Sequence, residues 1–285
     1  MTEVNFTELI ENSQPKRRLN RIGMFILIGL GLLVWSMIVG GGSKRGDLLS
    51  VILMWVVLTG LLVSLFISAG RRQALAKWSR KAADLCLLER WEEAIEPLRK
   101  VLNKPVSLPQ MRYQGLLELA GVAENTGQTD QARQIYRAIS EEQPQGLLGK
   151  LSRLGEAIAL LKLDHLADAE TVIRQLEVNA EGPGLKSLVL LARLYQQIKT
   201  GHYAEALEDE VNKCELARQG LSTKAGYAYG LLGLAHNQAG DQEQARKYWW
   251  KATMLIKPEN LVRKFPELGE LEGRFPSDSE LPGVE

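Results

Sequence analysis

The chain has 285 residues, and its 35 Lys and Arg nearly balance 34 Asp and Glu, for a formal charge of +1. That balance leaves no basic field, and no basic run interleaves with aromatics, so nucleic acid is excluded as a partner. The two cysteines, Cys86 and Cys214, are too few and too far apart for a disulfide framework or a zinc site, and read as thiols in a reducing compartment.

Residues 1–21 form an N-terminal segment that ends in Lys16, Arg17, Arg18 and Arg21. Two uncharged runs follow, 22–39 and 48–69. As helices at about 1.5 Å per residue they are about 27 and 33 Å long, which matches a bilayer core about 30 Å thick. They are predicted to be transmembrane helices joined by a short loop, 40–47. Arg71, Arg72, Lys77, Arg80 and Lys81 follow the second run, whereas the loop carries only Lys44 and Arg45. Cations flanking both outer ends place both termini on the cytoplasmic side. A cleaved signal peptide is the competing reading of 22–39, but the long basic lead-in and the lack of an A-x-A site argue against it. Neither run holds an ionisable residue, so the hairpin reads as an anchor and not as a transport path.

Beyond the second run, alanines recur at Ala94, Ala132, Ala169, Ala206 and Ala245, spaced by 38, 37, 37 and 39 residues. A period in this range marks a helical repeat array. Twelve residues before each stand Ala82, Ala120, Ala157, Leu194 and Gly233; four residues after stand Leu98, Tyr136, Ile173, Glu210 and Trp249. Five residues before each, where a first helix must stop, stand Glu89, Gly127, Asp164, Gly201 and Gly240. Glycine suits that place because helices commonly end through a left-handed residue. Each unit therefore reads as a helical hairpin: small residues let the two helices approach, and a large one fills the wedge against the next hairpin. Pro105, Pro109, Pro144, Pro183 and Pro258 fall between units.

These units resemble tetratricopeptide repeats. Leu116-Leu119-Ala120, Gly127, Ala132, Tyr136 and Pro144 carry the likeness in the second unit; Tyr229-Leu232-Gly233, Gly240, Ala245, Trp249 and Pro258 carry it in the fifth. The resemblance covers 74–258 and implies an all-α fold: a two-helix transmembrane hairpin followed by an α-solenoid of about five helical hairpins. The family's usual period is about 34 residues, so each unit here holds extra residues. The fourth unit departs furthest, with Leu194 in the small slot and Glu210 in the large one, which predicts a rotated or shifted second helix.

In such repeats the first helices line the concave face, where the resemblance implies that protein partners bind. The positions that fall there include Leu117, Gly121 and Glu124; Leu151, Leu154, Ile158 and Leu161; Leu188, Leu191, Tyr195 and Ile198; and Tyr227, Gly230, Leu234 and Asn237. Two readings of the apolar members stand side by side: an open groove for an amphipathic helix, or internal packing that closes it. The carboxylate clamp by which some relatives grip chaperone tails has no counterpart, since its places hold Ser79, Ala83, Gln114, Glu118 and Gly121.

No catalytic constellation assembles. His165, His202 and His236 lack a second ligand at helical spacing, and no phosphate loop or nucleophile elbow occurs. No cofactor or metal is expected. Residues 259–285 read as one capping turn, built on Leu261, Val262 and Phe265, followed by a disordered tail. A tail that folds back into its own groove is the alternative. The expectation is a membrane-anchored scaffold that recruits or assembles protein partners at the cytoplasmic face. The alternative is a structural subunit of a larger membrane machine, whose hairpin makes essential lateral contacts.

Overall fold

The computed structural model describes residues 6–14, 29, 31, 44–103, 105, 106 and 108–275. Between 44 and 72 the described side chains are few, among them Trp55, Leu58, Leu62, Val63 and Phe66. The expected span at 22–39, most of the loop and the tail beyond Phe275 therefore lie outside the described residues. What is described is helical without a strand. Among the described residues no helix is long and apolar enough to cross a membrane. The chain divides into two compact units, Met1–Glu118 and Leu119–Glu285.

The first unit contains α1 (Phe6–Ser13), α2 (Lys44–Leu87) and α3 (Trp91–Leu102), and the start of α4 (Pro109–Asn125). Helix α2 is continuous for 44 residues, about 66 Å at 1.5 Å per residue. It takes in Lys44–Asp47, expected in the loop, and passes Gly70, Arg71 and Arg72 without a break into the first repeat. Near its end Ser79, Ala82 and Leu85 are buried at helical spacing, and α3 buries Ala94, Leu98, Val101 and Leu102. Trp78 receives the Lys100 ammonium over its ring at 4.1 Å. Helix α1 packs on α3, burying Phe6 and Leu9. Val106 N–H donates to the Ser13 carbonyl at 3.3 Å, and the buried Arg112 donates from Nε to Ser13 Oγ at 2.9 Å.

The second unit holds the rest of α4, then α5 (Thr129–Glu142), α6 (Leu147–Lys162), α7 (Leu166–Asn179) and α8 (Gly182–Lys199). It continues with α9 (Tyr203–Leu207), α10 (Glu210–Leu221), α11 (Ala225–Gln238) and α12 (Gln242–Leu255). Helices α6 and α7, and α11 and α12, pair as antiparallel hairpins, while α8 pairs with α10. The architecture is that of a helical repeat and fits an α-solenoid. The first helices α4, α6 and α8 run 17, 16 and 18 residues and the second helices α5 and α7 run 14 each, so part of the long period sits in the first helices.

One local device recurs five times. Glu89, Gly127, Asp164, Gly201 and Gly240 have φ of 58°, 80°, 59°, 75° and 88°, all left-handed. At each, the next N–H reaches back five residues to the carbonyls of Leu85, Ala123, Leu160, Gln197 and His236, at 2.8 to 2.9 Å. This 6→1 bond closes the helix end and satisfies carbonyls that would otherwise lack a donor. The turn then aims the chain so that the N–H of each ladder alanine makes the opening bond of the second helix, at 3.0 to 3.2 Å. All five alanines are fully buried. The wedge reading holds as well. A Cβ on Gly233 would stand 3.2 Å from the Ala245 carbonyl, and one on Gly155 would stand 2.6 Å from the Tyr136 ring of the preceding hairpin.

The fourth unit breaks the pattern where Glu210 occupies the large slot. Its second helix is cut into α9 and α10 by an extended Glu208 and a left-handed Asp209, with φ of 50°. Lys213 Nζ donates to the freed carbonyls of Glu205 and Ala206, at 2.7 and 3.0 Å.

Candidate functional site

Of the eleven residues expected to form a partner groove, Leu154, Ile158, Leu161, Leu191, Tyr195, Ile198 and Leu234 are brought into one apolar cluster of the second unit, each no more than 6 % exposed. Leu188 and Tyr227 pack against it half-buried. Leu151 and Leu117 are half-buried and stand outside that cluster, Leu117 in the first unit. The face built from α6, α8 and α11 is thus apolar, and it is covered.

The cover is the chain's own C-terminal stretch. It forms α13 (Pro258–Lys264), a 3-10 turn (Pro266–Leu268) and α14 (Gly269–Arg274), where a single capping turn was expected. Leu261, Phe265, Leu268 and Leu271 are fully buried in the same cluster. The Phe265 ring sits between Tyr195 (centroids 4.6 Å apart) and Tyr227 (5.7 Å, edge-on). Leu268 seats on Gly230, where an added Cβ would be 3.0 Å from its Cδ1.

Polar contacts rim the apolar row. Glu267 Oε1 accepts from the Tyr195 hydroxyl at 3.2 Å and pairs with Lys199 at 3.3 Å. Glu270 accepts from the Asn237 and Gln238 side-chain amides, at 2.6 and 2.7 Å. Lys264 pairs at 2.7 Å with the buried Glu124. The carbonyl of Phe275 accepts from Trp249 Nε1 at 2.9 Å. Five residues on which the stretch rests, Glu124, Tyr195, Tyr227, Gly230 and Asn237, are all positions that the repeat register assigns to the inner face.

This packing perturbs the ionisable groups beneath it. Burial, with the positive charge of Lys264 beside it, pushes Lys162 down to about 8. Burial works to raise Glu124, but Lys264 and Lys162 outweigh it and hold the carboxyl below its usual range. The Tyr195 hydroxyl is pushed up by burial and by the Glu267 carboxylate.

A second polar group lies at the broken fourth unit. The Glu210 carboxylate accepts from the Tyr248 hydroxyl and lies 2.9 Å from His236 Nε2. The His236 and Tyr248 rings stack at 5.5 Å, and Cys214 Sγ is 3.5 Å from the Tyr248 hydroxyl. Burial pushes the thiol up, away from the thiolate a nucleophile needs. The group ties α10 to α11 and α12, and it explains why a carboxylate is tolerated in a slot meant for a large apolar side chain. Among the described residues no three His, Cys, Asp or Glu are grouped to hold a metal ion.

The repeat register singled out these inner-face positions, and a tail folded back over them stood only as the alternative to a single capping turn. The apolar row at Leu261, Phe265, Leu268 and Leu271 has helical spacing, and Pro266 and Gly269 inside it disguised the signal. Compared with protein-family models, curated proteins and solved structures, the chain matches none.

Proposed function

We propose that the chain is a membrane-anchored scaffold of tetratricopeptide-repeat type. A hairpin of helices at 22–39 and 48–69 holds it, and its repeats recruit or assemble protein partners at the cytoplasmic face. The observation that carries the reading is helix α2. Its residues 48–69 include no charged side chain, and Trp55, Leu58, Leu62, Val63 and Phe66 are 45 to 77 % exposed. At about 100° per residue these five share one face roughly 140° wide. Each large apolar side chain gains about 1.5–3 kcal/mol on full burial, so a bare stripe of five is costly in water and favoured against lipid. The cationic residues that follow the run suit a headgroup layer.

The position of α1 supports the same topology. It precedes the first apolar run, yet it packs on α3, which follows the second. Two crossings return the chain to the side it left, which is compatible with that contact. Because α2 runs unbroken into the first repeat, the array begins at the bilayer surface, and partners are membrane proteins or proteins brought there.

Alkaline extraction of membranes tests the anchor. The chain is expected to stay in the pellet, and the variant carrying Leu58→Asp, Leu62→Asp and Phe66→Asp is expected in the supernatant. Release of the unaltered chain would overturn the reading.

A further inference from the structure

We propose that residues 258–275 act as a built-in ligand of the inner face, holding the place of a Leu- and Phe-bearing helical segment of a partner protein with carboxylates at its rim. The proposal rests on the scaffold reading above and names the class of partner it takes.

Three observations point to an exchangeable occupant and away from a fixed core element. The first is chemical pattern. A recognition helix presents apolar anchors at helical spacing and polar groups at the rim. The stretch does both in the order Phe265-Pro266-Glu267-Leu268-Gly269-Glu270-Leu271. Phe265 enters the Tyr195–Tyr227 notch, Leu268 enters the hollow over Gly230, and the two carboxylates meet Lys199, Tyr195, Asn237 and Gln238. A segment serving only as a cap has no need of that polar match.

The second is local stability. The stretch consists of helices of 7 and 6 residues joined by a 3-residue turn. Helices this short do not persist on their own, so the groove supplies their order. Because that order comes from contacts with the body alone, the stretch is expected to open as a unit of its own although Leu261, Phe265, Leu268 and Leu271 are buried.

The third is imperfect fit. Glu124 Oε1 and Glu267 Oε2 are buried without a hydrogen-bond partner in the protein. A buried carboxylate oxygen left so costs free energy that a better-matched segment recovers. A partner with the same apolar row, and with donors reaching Glu124, displaces the resident stretch by competition. The groove is then closed when the chain is alone and opens only to a segment of the right pattern.

The test uses the full chain in detergent or nanodiscs and a labelled synthetic peptide of residues 258–275. Hydrogen exchange on the unaltered chain comes first: amides of 261–274 are expected to exchange at least about tenfold faster than those of α8 and α11. In anisotropy titrations the peptide is expected to bind the F265A–L268A variant at least about tenfold more tightly than the unaltered chain. Adding Tyr195→Asp to that variant is expected to abolish binding. Exchange of the stretch at the rate of α8 and α11 would overturn the proposal, even if the double variant failed to fold. Local opening without peptide binding to a folded double variant would overturn it too, as would binding that appears only with dimer formation in light scattering. None of these outcomes touches the extraction test of the anchor, so failure here and failure of the scaffold reading are told apart.

Discussion

Replacing one glycine by alanine should have opposite effects at two places in this chain, and the sign depends on the backbone alone. Gly201 ends the first helix of the fourth unit with φ of 75°, and a Cβ added there meets nothing within 4 Å. The cost of Gly201→Ala is therefore conformational. A left-handed residue with a Cβ costs about 1–2 kcal/mol, offset by about 0.4–1 kcal/mol from a stiffer unfolded chain. The net loss is about 1 kcal/mol. Gly121 lies inside α4, and its Cβ also meets nothing. Gly121→Ala should gain about 0.5–1 kcal/mol, the helix-interior advantage of alanine. The two variants should thus differ by about 2 kcal/mol, or several degrees in Tm at about 2–4 °C per kcal/mol. Thermal melts followed by circular dichroism, on the full chain in one detergent, read the difference. Gly127→Ala and Gly240→Ala serve as repeats of the first measurement, since their φ values are 80° and 88° and their surroundings equally open. If Gly201→Ala raised Tm as Gly121→Ala does, the recurring left-handed stop would be wrong.

Gly155→Ala should cost more than any of these, about 1–3 kcal/mol from overpacking, because its Cβ would meet the buried Tyr136 ring at 2.6 Å; the same melts check it. Lys162 gives a pH test. Its folded value of about 8 lies below the ordinary 10.5, so between these values the unfolded chain binds more protons, and this group makes stability rise with pH. Lys162→Met should be more stable than the unaltered chain near about pH 7 and should lose that advantage toward about pH 9.5, measured by denaturant midpoints at matched pH. A constant difference across that range would refute the assignment.

Much of the fold was legible because the repeat writes the same physical need five times. A left-handed stop, a small residue at the helix crossing and a buried alanine leave a periodic trace, and even Glu89 and Asp164 showed their role by position when glycine was lacking. The fourth unit announced trouble through Glu210, yet the sequence did not say that the helix would break at Asp209 and place that carboxylate against His236 and Tyr248. Those contacts join residues 26 and 38 positions apart, beyond any local pattern. The inner-face register was readable for the same reason as the ladder. Its cover stood only as the alternative to a capping turn, because Pro266 and Gly269 divide the stretch into pieces too short to read as helices, and only the groove orders them. The docking of α1 on α3 was hidden likewise, since Phe6 and Leu9 form too short an apolar face to name a partner.

Protease accessibility in sealed, right-side-out vesicles tests the anchored scaffold most directly. The expected result is cleavage confined to the connection before α2, around 40–43, with 74–275 intact until detergent opens the vesicles. Digestion of the repeats in intact vesicles would contradict a cytoplasmic array held by a two-helix hairpin.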